Sequence, residues 1–215
     1  MDNRMFRATL GALRQALLVG LLAAGLGNAV AADKPAQTLK SPADFAGIAD
    51  PTARSQALFT EAGKVIQHPR CLNCHPKGDS PTQGMDMHPH TPPVVRGQFG
   101  LGATALACYT CHQQQNFDTA GVPGNPAWHL APIEMAWQGQ TLGQICEQLK
   151  DSKRNGGRSL QQIQEHMAKD PLVGWGWKPG IDISRQPREA VPGTQAQFGA
   201  LIGEWIKTGA ACPAG

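Results

Sequence analysis

Apolar residues recur with the 3.6-residue period of an α-helix in four stretches of this chain. The clearest stretch predicts a helix that begins at Thr194 and buries one face against the rest of the protein. That face comprises Phe198, Leu201, Ile202, Trp205 and Ile206. Closer to the N-terminus, Asp50 as N-cap and Pro51 in the first turn predict a second helix that runs to about Gln67.

Two shorter helices are predicted between these long ones. Thr141 caps the first, which runs to about Lys150, and a capping box of Ser159 with Gln162 opens the second, which runs to about Lys169. No stretch of strand length alternates between apolar and polar residues. The sequence therefore predicts a mainly α fold.

Glycine and proline interrupt the helical pattern elsewhere. The chain has 25 glycines and 17 prolines, and residues 76–103 and 116–140 are predicted to be loops. A further short helix, carrying residues 108–112, is expected from about Thr104. We expect one loop-rich domain with several short helices over residues 51–215, preceded by a flexible segment over residues 33–50.

The first 32 residues have the three parts of a secretory signal peptide. These are a positive start with Arg4, Arg7 and Arg14, an apolar run over residues 16–27, and the small-x-small cleavage site Ala29-Val30-Ala31. The apolar run is shorter than the roughly 20 residues that span a bilayer, which favours cleavage over a membrane anchor. The protein is therefore expected in the periplasm, and at a membrane only if this segment stays attached.

The net charge of the chain is small. It is formally +3 at pH 7, and loss of three arginines and Asp2 with the signal peptide lowers it to about +1. No pronounced basic patch is visible in the sequence, which argues against nucleic-acid binding.

Two copies of one short motif carry the chemistry. Residues 71–75 (CLNCH) and 108–112 (CYTCH) both read CxxCH, the attachment site of a c-type haem. In such a site, two cysteines bond the porphyrin as thioethers and the histidine binds the iron as its proximal ligand. We therefore predict two covalently bound haem c groups, with thioethers at Cys71, Cys74, Cys108 and Cys111 and proximal ligands His75 and His112.

The two motifs lie close together in the sequence. Cys71 and Cys108 are 37 residues apart, whereas a single-haem cytochrome c domain takes about 80–100 residues. Both haems are therefore expected close together in one shared domain, unlike those of dihaem peroxidases, which occupy two full domains. Zinc is a weaker alternative, because a four-ligand zinc site usually pairs CxxC with a second close pair.

The sequence does not assign the second axial ligand of each iron. The candidates, in order of preference, are His90, His166, His129 and the methionine Met135. Methionine more often fills gaps in a core, and an open position on one iron is the remaining alternative. The candidates to pair with haem propionates are Arg70, Arg96, Arg154 and Arg158.

Two cysteines remain after the four in the motifs. A disulfide is stable in an exported protein, and a Cys146–Cys212 bridge would tie the C-terminal helix to the helix around residue 146. Two buried free thiols are the alternative.

Four further stretches carry a family resemblance. They are residues 128–132 (WHLAP), 154–158 (RNGGR), 170–177 (DPLVGWGW) and 209–213 (GAACP). With these and the CxxCH pair, the chain resembles dihaem cytochromes c, and in particular proteobacterial proteins labelled isoquinoline 1-oxidoreductase subunits. The resemblance covers most of the chain after the signal peptide, and it implies a cytochrome that takes electrons from a molybdenum hydroxylase. The sequence itself has no molybdopterin or iron–sulfur signature.

Three functions are compatible with two haems. In the first, both irons are saturated and single electrons pass between a dehydrogenase or oxidoreductase and an acceptor protein. In the second, one iron keeps an open site and the protein is a peroxidase- or reductase-like enzyme. In the third, the protein senses a ligand without catalysis. The sequence favours electron transfer, with redox proteins as partners.

Overall fold

The computed structural model describes residues 38–215, so the expected signal peptide lies outside the described residues. The helices are α1 (Pro51–Ile66), α2 (Pro69–Leu72), α3 (Leu142–Lys150), α4 (Leu160–Lys169), α5 (Pro171–Gly174) and α6 (Gln195–Lys207). Four strands of two residues each form two antiparallel pairs. β1 (Thr82–Gln83) pairs with β2 (His88–Pro89), and β3 (Gly102–Ala103) pairs with β4 (Leu106–Ala107). The fold is mainly α, as the sequence predicts. None of the helices between residues 38 and 215 is long and apolar enough to cross a membrane.

Side-chain caps begin the four longer helices at the predicted positions. The Asp50 carboxylate accepts a hydrogen bond from the amide of Ala53 at 2.8 Å and so begins α1. Capping boxes at Thr141, Ser159 and Thr194 begin α3, α4 and α6. Each cap satisfies backbone amides that the first turn leaves open and contributes about 1 kcal/mol. The predicted boundaries of these helices are confirmed to within about one residue.

Helices α1, α4 and α6 pack together around the hydrophobic core. The large side chains that they bury completely include Leu58, Phe59, Ile66, Leu201, Ile202 and Trp205. The rings of Phe59 on α1 and Trp205 on α6 lie with centroids 4.8 Å apart. Burial of one such side chain contributes about 1.5–3 kcal/mol, so the apolar stripe of α6 anchors it to the rest of the domain.

A disulfide fastens the C-terminal tail to this core. Cys146 of α3 is bonded to Cys212, which follows α6, across a Cα–Cα distance of 5.6 Å. Cys146 is fully buried among the core side chains. The bond is the pairing that the sequence favours.

Residues 38–50 contain local structure that the sequence does not predict. They belong to the segment 33–50 that is expected to be flexible, yet they include a single-turn 3₁₀ helix at Pro42–Phe45. Leu39 and Phe45 are buried in the core cluster. Apolar burial therefore fixes this part of the segment against the domain.

The prediction of a helix from about Thr104 is wrong. In its place, Ala103 pairs with Leu106 across a two-residue turn, and the second CxxCH motif starts in a single-turn 3₁₀ helix. Gly102 has a φ of +89°, far from the helical region. The hairpin of β3 and β4 takes up the residues directly before Cys108, so a helix cannot begin at Thr104.

Candidate functional site

Both CxxCH motifs fold into the same turn. In the first, the Cys71 carbonyl accepts hydrogen bonds from the amides of the second cysteine at 3.2 Å and of the histidine at 3.1 Å. In the second, the Cys108 carbonyl accepts the corresponding bonds at 3.2 Å and 3.0 Å. Residues three and four apart on such a turn share one side. Each motif therefore presents its cysteines and its histidine together.

The histidine of each motif is held in one tautomer by a backbone carbonyl. His75 Nδ1 lies 2.7 Å from the Met135 carbonyl oxygen, and His112 Nδ1 lies 2.7 Å from the Pro123 carbonyl oxygen. A carbonyl can only accept, so Nδ1 carries the proton in both rings. The lone pair of Nε2 is then free to bind a metal ion, and the hydrogen bond at Nδ1 orients the ring for it.

Each of these rings also stacks on a tryptophan. The His75 and Trp137 rings are nearly parallel, at 8°, with centroids 3.6 Å apart. The His112 and Trp128 rings lie at 11° with centroids 4.3 Å apart. The sequence does not indicate either contact, because the tryptophans lie in loops that only the tertiary fold brings to the motifs.

A deep cleft opens at the first motif and extends into the core. The empty space within it and at its mouth is about 1060 Å³, a volume that includes open solvent. Its floor holds the two cysteines and the histidine of the motif, and its apolar walls include Ile66, Leu149, Ile163, Met167 and Phe198. A large apolar group bonded to this motif would lie inside the helical core.

Burial keeps the groups of the first motif uncharged. It lowers the pKa of His75 to about 4, and it raises the pKa of the Cys71 thiol to about 12 and that of Cys74 to about 11. Neutral imidazole is the form that binds a metal ion. None of the four cysteines in the CxxCH motifs is in a disulfide, so all of them remain available for thioether bonds.

Trp137 provides a hydrogen-bond donor without an acceptor at this cleft. Its indole Nε1 is buried and has no hydrogen-bond partner among residues 38–215, and the side chain lines the cleft. Buried donors are almost always satisfied. A bound group with an acceptor, such as a propionate, would supply what this donor lacks.

Three of the four candidates for a second axial ligand line this first cleft, namely His129, Met135 and His166. His166 projects from α4, and its Nδ1 donates to the Asp170 carboxylate at 3.1 Å, which leaves Nε2 free. His129 is exposed and lies in a loop. Met135 provides the carbonyl that holds His75 from behind, so its backbone lies on the side of the ring away from Nε2.

The fourth candidate, His90, lies at the second motif. The ring centroids of His90 and His112 are 6.0 Å apart, and the ring planes are inclined at 64°. Nδ1 of His90 donates to the Pro92 carbonyl at 2.8 Å. The nearby His88 instead pairs with Asp86 at 2.6 Å, where both side chains are exposed. The structure thus brings one candidate to the second motif and three to the first.

The surroundings of the second motif are more exposed than those of the first. Cys111 is exposed, and so are Phe99, Tyr109 and Phe117, with 79%, 68% and 54% of their surface accessible. Apolar side chains line the first motif from inside the core, whereas at the second they face outward. A group bonded to the second motif would therefore cover part of this apolar surface.

One short stretch of backbone links the two motifs. The Ala131 amide donates to the Cys74 carbonyl at 3.1 Å, and the preceding Leu130 amide donates to the Gly100 carbonyl at 2.9 Å. The Gly100 carbonyl also accepts from the Cys108 thiol at 3.7 Å. Residues 130 and 131 thus connect the first motif to the second within a few bonds.

Two of the four arginine candidates are placed to meet a charged group in the first cleft. Arg70 and Arg158 line the cleft. Arg96 is buried and donates to three backbone carbonyls of the loops beside the motifs, so its guanidinium holds those loops together. Arg154 is exposed and donates to the backbone of Glu134.

Tryptophan side chains also connect the two regions. Trp128, which stacks on His112, meets Trp175 edge to face at 5.1 Å and 85°. Trp175 lines the first cleft, and its Nε1 donates to Asn116 at 2.9 Å. The sequence does not indicate these contacts of residues 175–177. The structure forms a single-turn 3₁₀ helix there, after α5.

No protein family, curated protein or solved structure matches this chain. Within residues 38–215, no three side chains of His, Cys, Asp or Glu converge where they could hold a metal ion by themselves. A haem iron takes only one or two ligands from the protein, because the porphyrin supplies the others.

Proposed function

We propose that this protein is a dihaem c-type cytochrome that carries single electrons between an oxidoreductase and an acceptor protein. The duplication carries this proposal. The two CxxCH turns form equivalent hydrogen bonds, and each histidine has the same tautomer and stacks on its own tryptophan. One arrangement of this kind could arise from packing alone. Two of them, on the only two CxxCH motifs of the sequence, fit two identical prosthetic groups.

The residues of the chain divide the work of holding each haem. The cysteines of a motif bond the porphyrin, and His75 or His112 binds the iron through Nε2. The carbonyls of Met135 and Pro123 fix the two imidazoles, and Arg70 provides positive charge at the first cleft. When bound, each haem supplies an iron that exchanges one electron. The apolar walls of the first cleft keep water from that iron.

Electron transfer is favoured over catalysis by the imidazoles near both motifs. His166 and His129 share the first cleft with His75, and His90 faces the second motif. An iron with a protein ligand on each side has no free position for a substrate. We therefore propose His166, on the rigid helix α4, as the second ligand at the first motif, with His129 as its alternative.

Export to the periplasm is part of the proposal. The Cys146–Cys212 disulfide supports it, because such bonds persist in oxidising compartments. A periplasmic dehydrogenase or oxidoreductase would supply the electrons, and the sequence resemblance favours a molybdenum hydroxylase as the donor.

Spectroscopy of the full chain, expressed with the cytochrome c maturation machinery, tests the proposed function. Two low-spin haem signals in electron paramagnetic resonance (EPR), with no Soret shift when CO is added to the reduced protein, are expected for an electron carrier. A high-spin signal with a CO-induced shift would instead favour the enzyme or the sensor. Protein that carries no haem would rule out all three.

A further inference from the structure

We infer that His90 and His112 bind the iron of the second haem from opposite faces. The inference rests on the proposed function and deepens it, because it assigns one ligand to one iron. It follows from the position of the two rings and from the atoms that each ring leaves free.

The distance between the rings matches this arrangement. Two imidazoles that bind one metal ion from opposite sides have centroids about 6 Å apart, given metal–nitrogen bonds of about 2 Å and the radius of each ring. The observed separation of the His90 and His112 centroids is 6.0 Å. Tightly stacked rings are much closer, as His75 and Trp137 are at 3.6 Å.

The tautomers of the two rings fit the same arrangement. Nδ1 of His90 donates to the Pro92 carbonyl and Nδ1 of His112 to the Pro123 carbonyl. Each ring therefore keeps only the lone pair of Nε2, and two lone pairs cannot hydrogen-bond to one another. A metal ion between the rings would give both nitrogens a partner.

Chain geometry also gives this role to His90 rather than to a neighbour. His90 directly follows β2, which pairs with β1 in a hairpin, and its amide donates to the Pro81 carbonyl at 3.4 Å. The exposed His88 is turned to Asp86. His129 and His166 line the cleft of the first motif. Among the described histidines outside the motifs, His90 is the one whose ring lies against His112.

The test replaces His90 by alanine in the full chain, expressed with the maturation machinery. We expect intact mass to show two haems still attached, since the thioether bonds do not depend on His90. EPR should show loss of one of the two low-spin signals and the appearance of one high-spin signal. Added imidazole should restore the low-spin signal, a rescue that a merely structural role of His90 would not give.

His88→Ala is the matched control, because it removes a histidine two residues away in the same hairpin. It should keep both low-spin signals. The inference is overturned if His90→Ala keeps both low-spin signals, or if His88→Ala is the variant that becomes high-spin. Loss of haem from the wild-type protein would instead contradict the proposed function.

A measurement on the wild-type protein covers the case in which His90→Ala does not fold. Near-infrared magnetic circular dichroism distinguishes iron bound by two histidines from iron bound by histidine and methionine. We expect a two-histidine signature for both haems. A methionine-bound or five-coordinate haem, traced to the second motif by its absence from Cys108→Ala/Cys111→Ala protein, would contradict the assignment of His90.

Discussion

The two CxxCH regions have the same local structure and opposite surroundings. Both turns close with nearly identical hydrogen bonds, and both histidines donate to a carbonyl at 2.7 Å. The first motif begins in α2 and faces a cleft lined by residues of the other five helices, α1, α3, α4, α5 and α6. The second follows the hairpin of β3 and β4 and lies among exposed aromatic side chains. A short turn can therefore set the geometry of the cysteines and the histidine of a motif, while the fold around the turn sets their environment.

This difference predicts different properties for two chemically identical groups. Burial, solvent exposure and hydrogen bonding together set the reduction potential of a haem. The first haem would be shielded by apolar walls, and the second would be more exposed to water. We expect two separate potentials rather than one, and a redox titration followed at the Soret band should resolve them.

The largest expected effect comes from removing the cysteines of one motif at a time. Cys71→Ala/Cys74→Ala should lose one haem and also lower the melting temperature strongly, because the cleft within the core loses the group that fills it. Cys108→Ala/Cys111→Ala should lose one haem but keep the helical core folded. Intact mass and thermal unfolding by circular dichroism would measure both effects. Equal loss of stability in the two variants would contradict the contrast between the sites.

Removal of the disulfide is also expected to affect the two regions differently. The Cys146–Cys212 bond closes a loop of 66 residues, and Cys146→Ala/Cys212→Ala is expected to lower the free energy of unfolding by about 2–4 kcal/mol. Because α3 contributes Leu149 to the wall of the first cleft, the spectrum of the first haem should change more than that of the second. Denaturant titration together with EPR checks this. An unchanged free energy of unfolding would show that the bond does little for the fold.

The stacked tryptophans offer a smaller, paired test. Trp137→Leu should shift the EPR signal of the first haem only, and Trp128→Leu that of the second only, because each tryptophan ring contacts the histidine of one motif. Loss of a stacked pair costs about 0.5–1.5 kcal/mol beyond the buried area. If Trp137→Leu altered both signals equally, the two sites would not be independent.

Helix capping gives the smallest expected effect. Thr194 accepts the Gln197 amide at 3.1 Å and begins α6, and Thr194→Ala should lower the free energy of unfolding by about 1 kcal/mol. Thr194→Ser keeps the hydroxyl and should retain most of that stability. Denaturant unfolding of the two variants measures the difference. Because α6 supports the core and the first cleft, neither change should alter the spectrum of the second haem.

The helices could be predicted because their signals are local. Caps such as Ser159 and Thr194 and the 3.6-residue apolar period lie within the segments that they shape. The hairpin before Cys108 could not be predicted in this way. A Cβ at Gly102 would lie 2.8 Å from the Leu106 carbonyl oxygen, so the chain there depends on a close approach that no periodicity encodes.

The candidate site likewise combines residues that the sequence predicts with contacts that it does not. The CxxCH motifs identify six residues from spacing alone, and the structure folds both motifs alike. The contacts of Trp137 and Trp128, and the carbonyls of Met135 and Pro123, join segments far apart in sequence. Met135 attracts attention as a methionine ligand, yet its backbone carbonyl makes the defined contact with His75. Backbone groups carry no signal in the identity of a residue.

The most direct test is the intact mass of the full chain after expression with and without the cytochrome c maturation machinery. With it, we predict a mass increased by two haem groups that survives denaturation, with peptide mapping placing one group at residues 71–75 and one at residues 108–112. Without it, we predict no added mass. A mass that never includes covalently bound haem would contradict the proposal that this protein is a dihaem cytochrome.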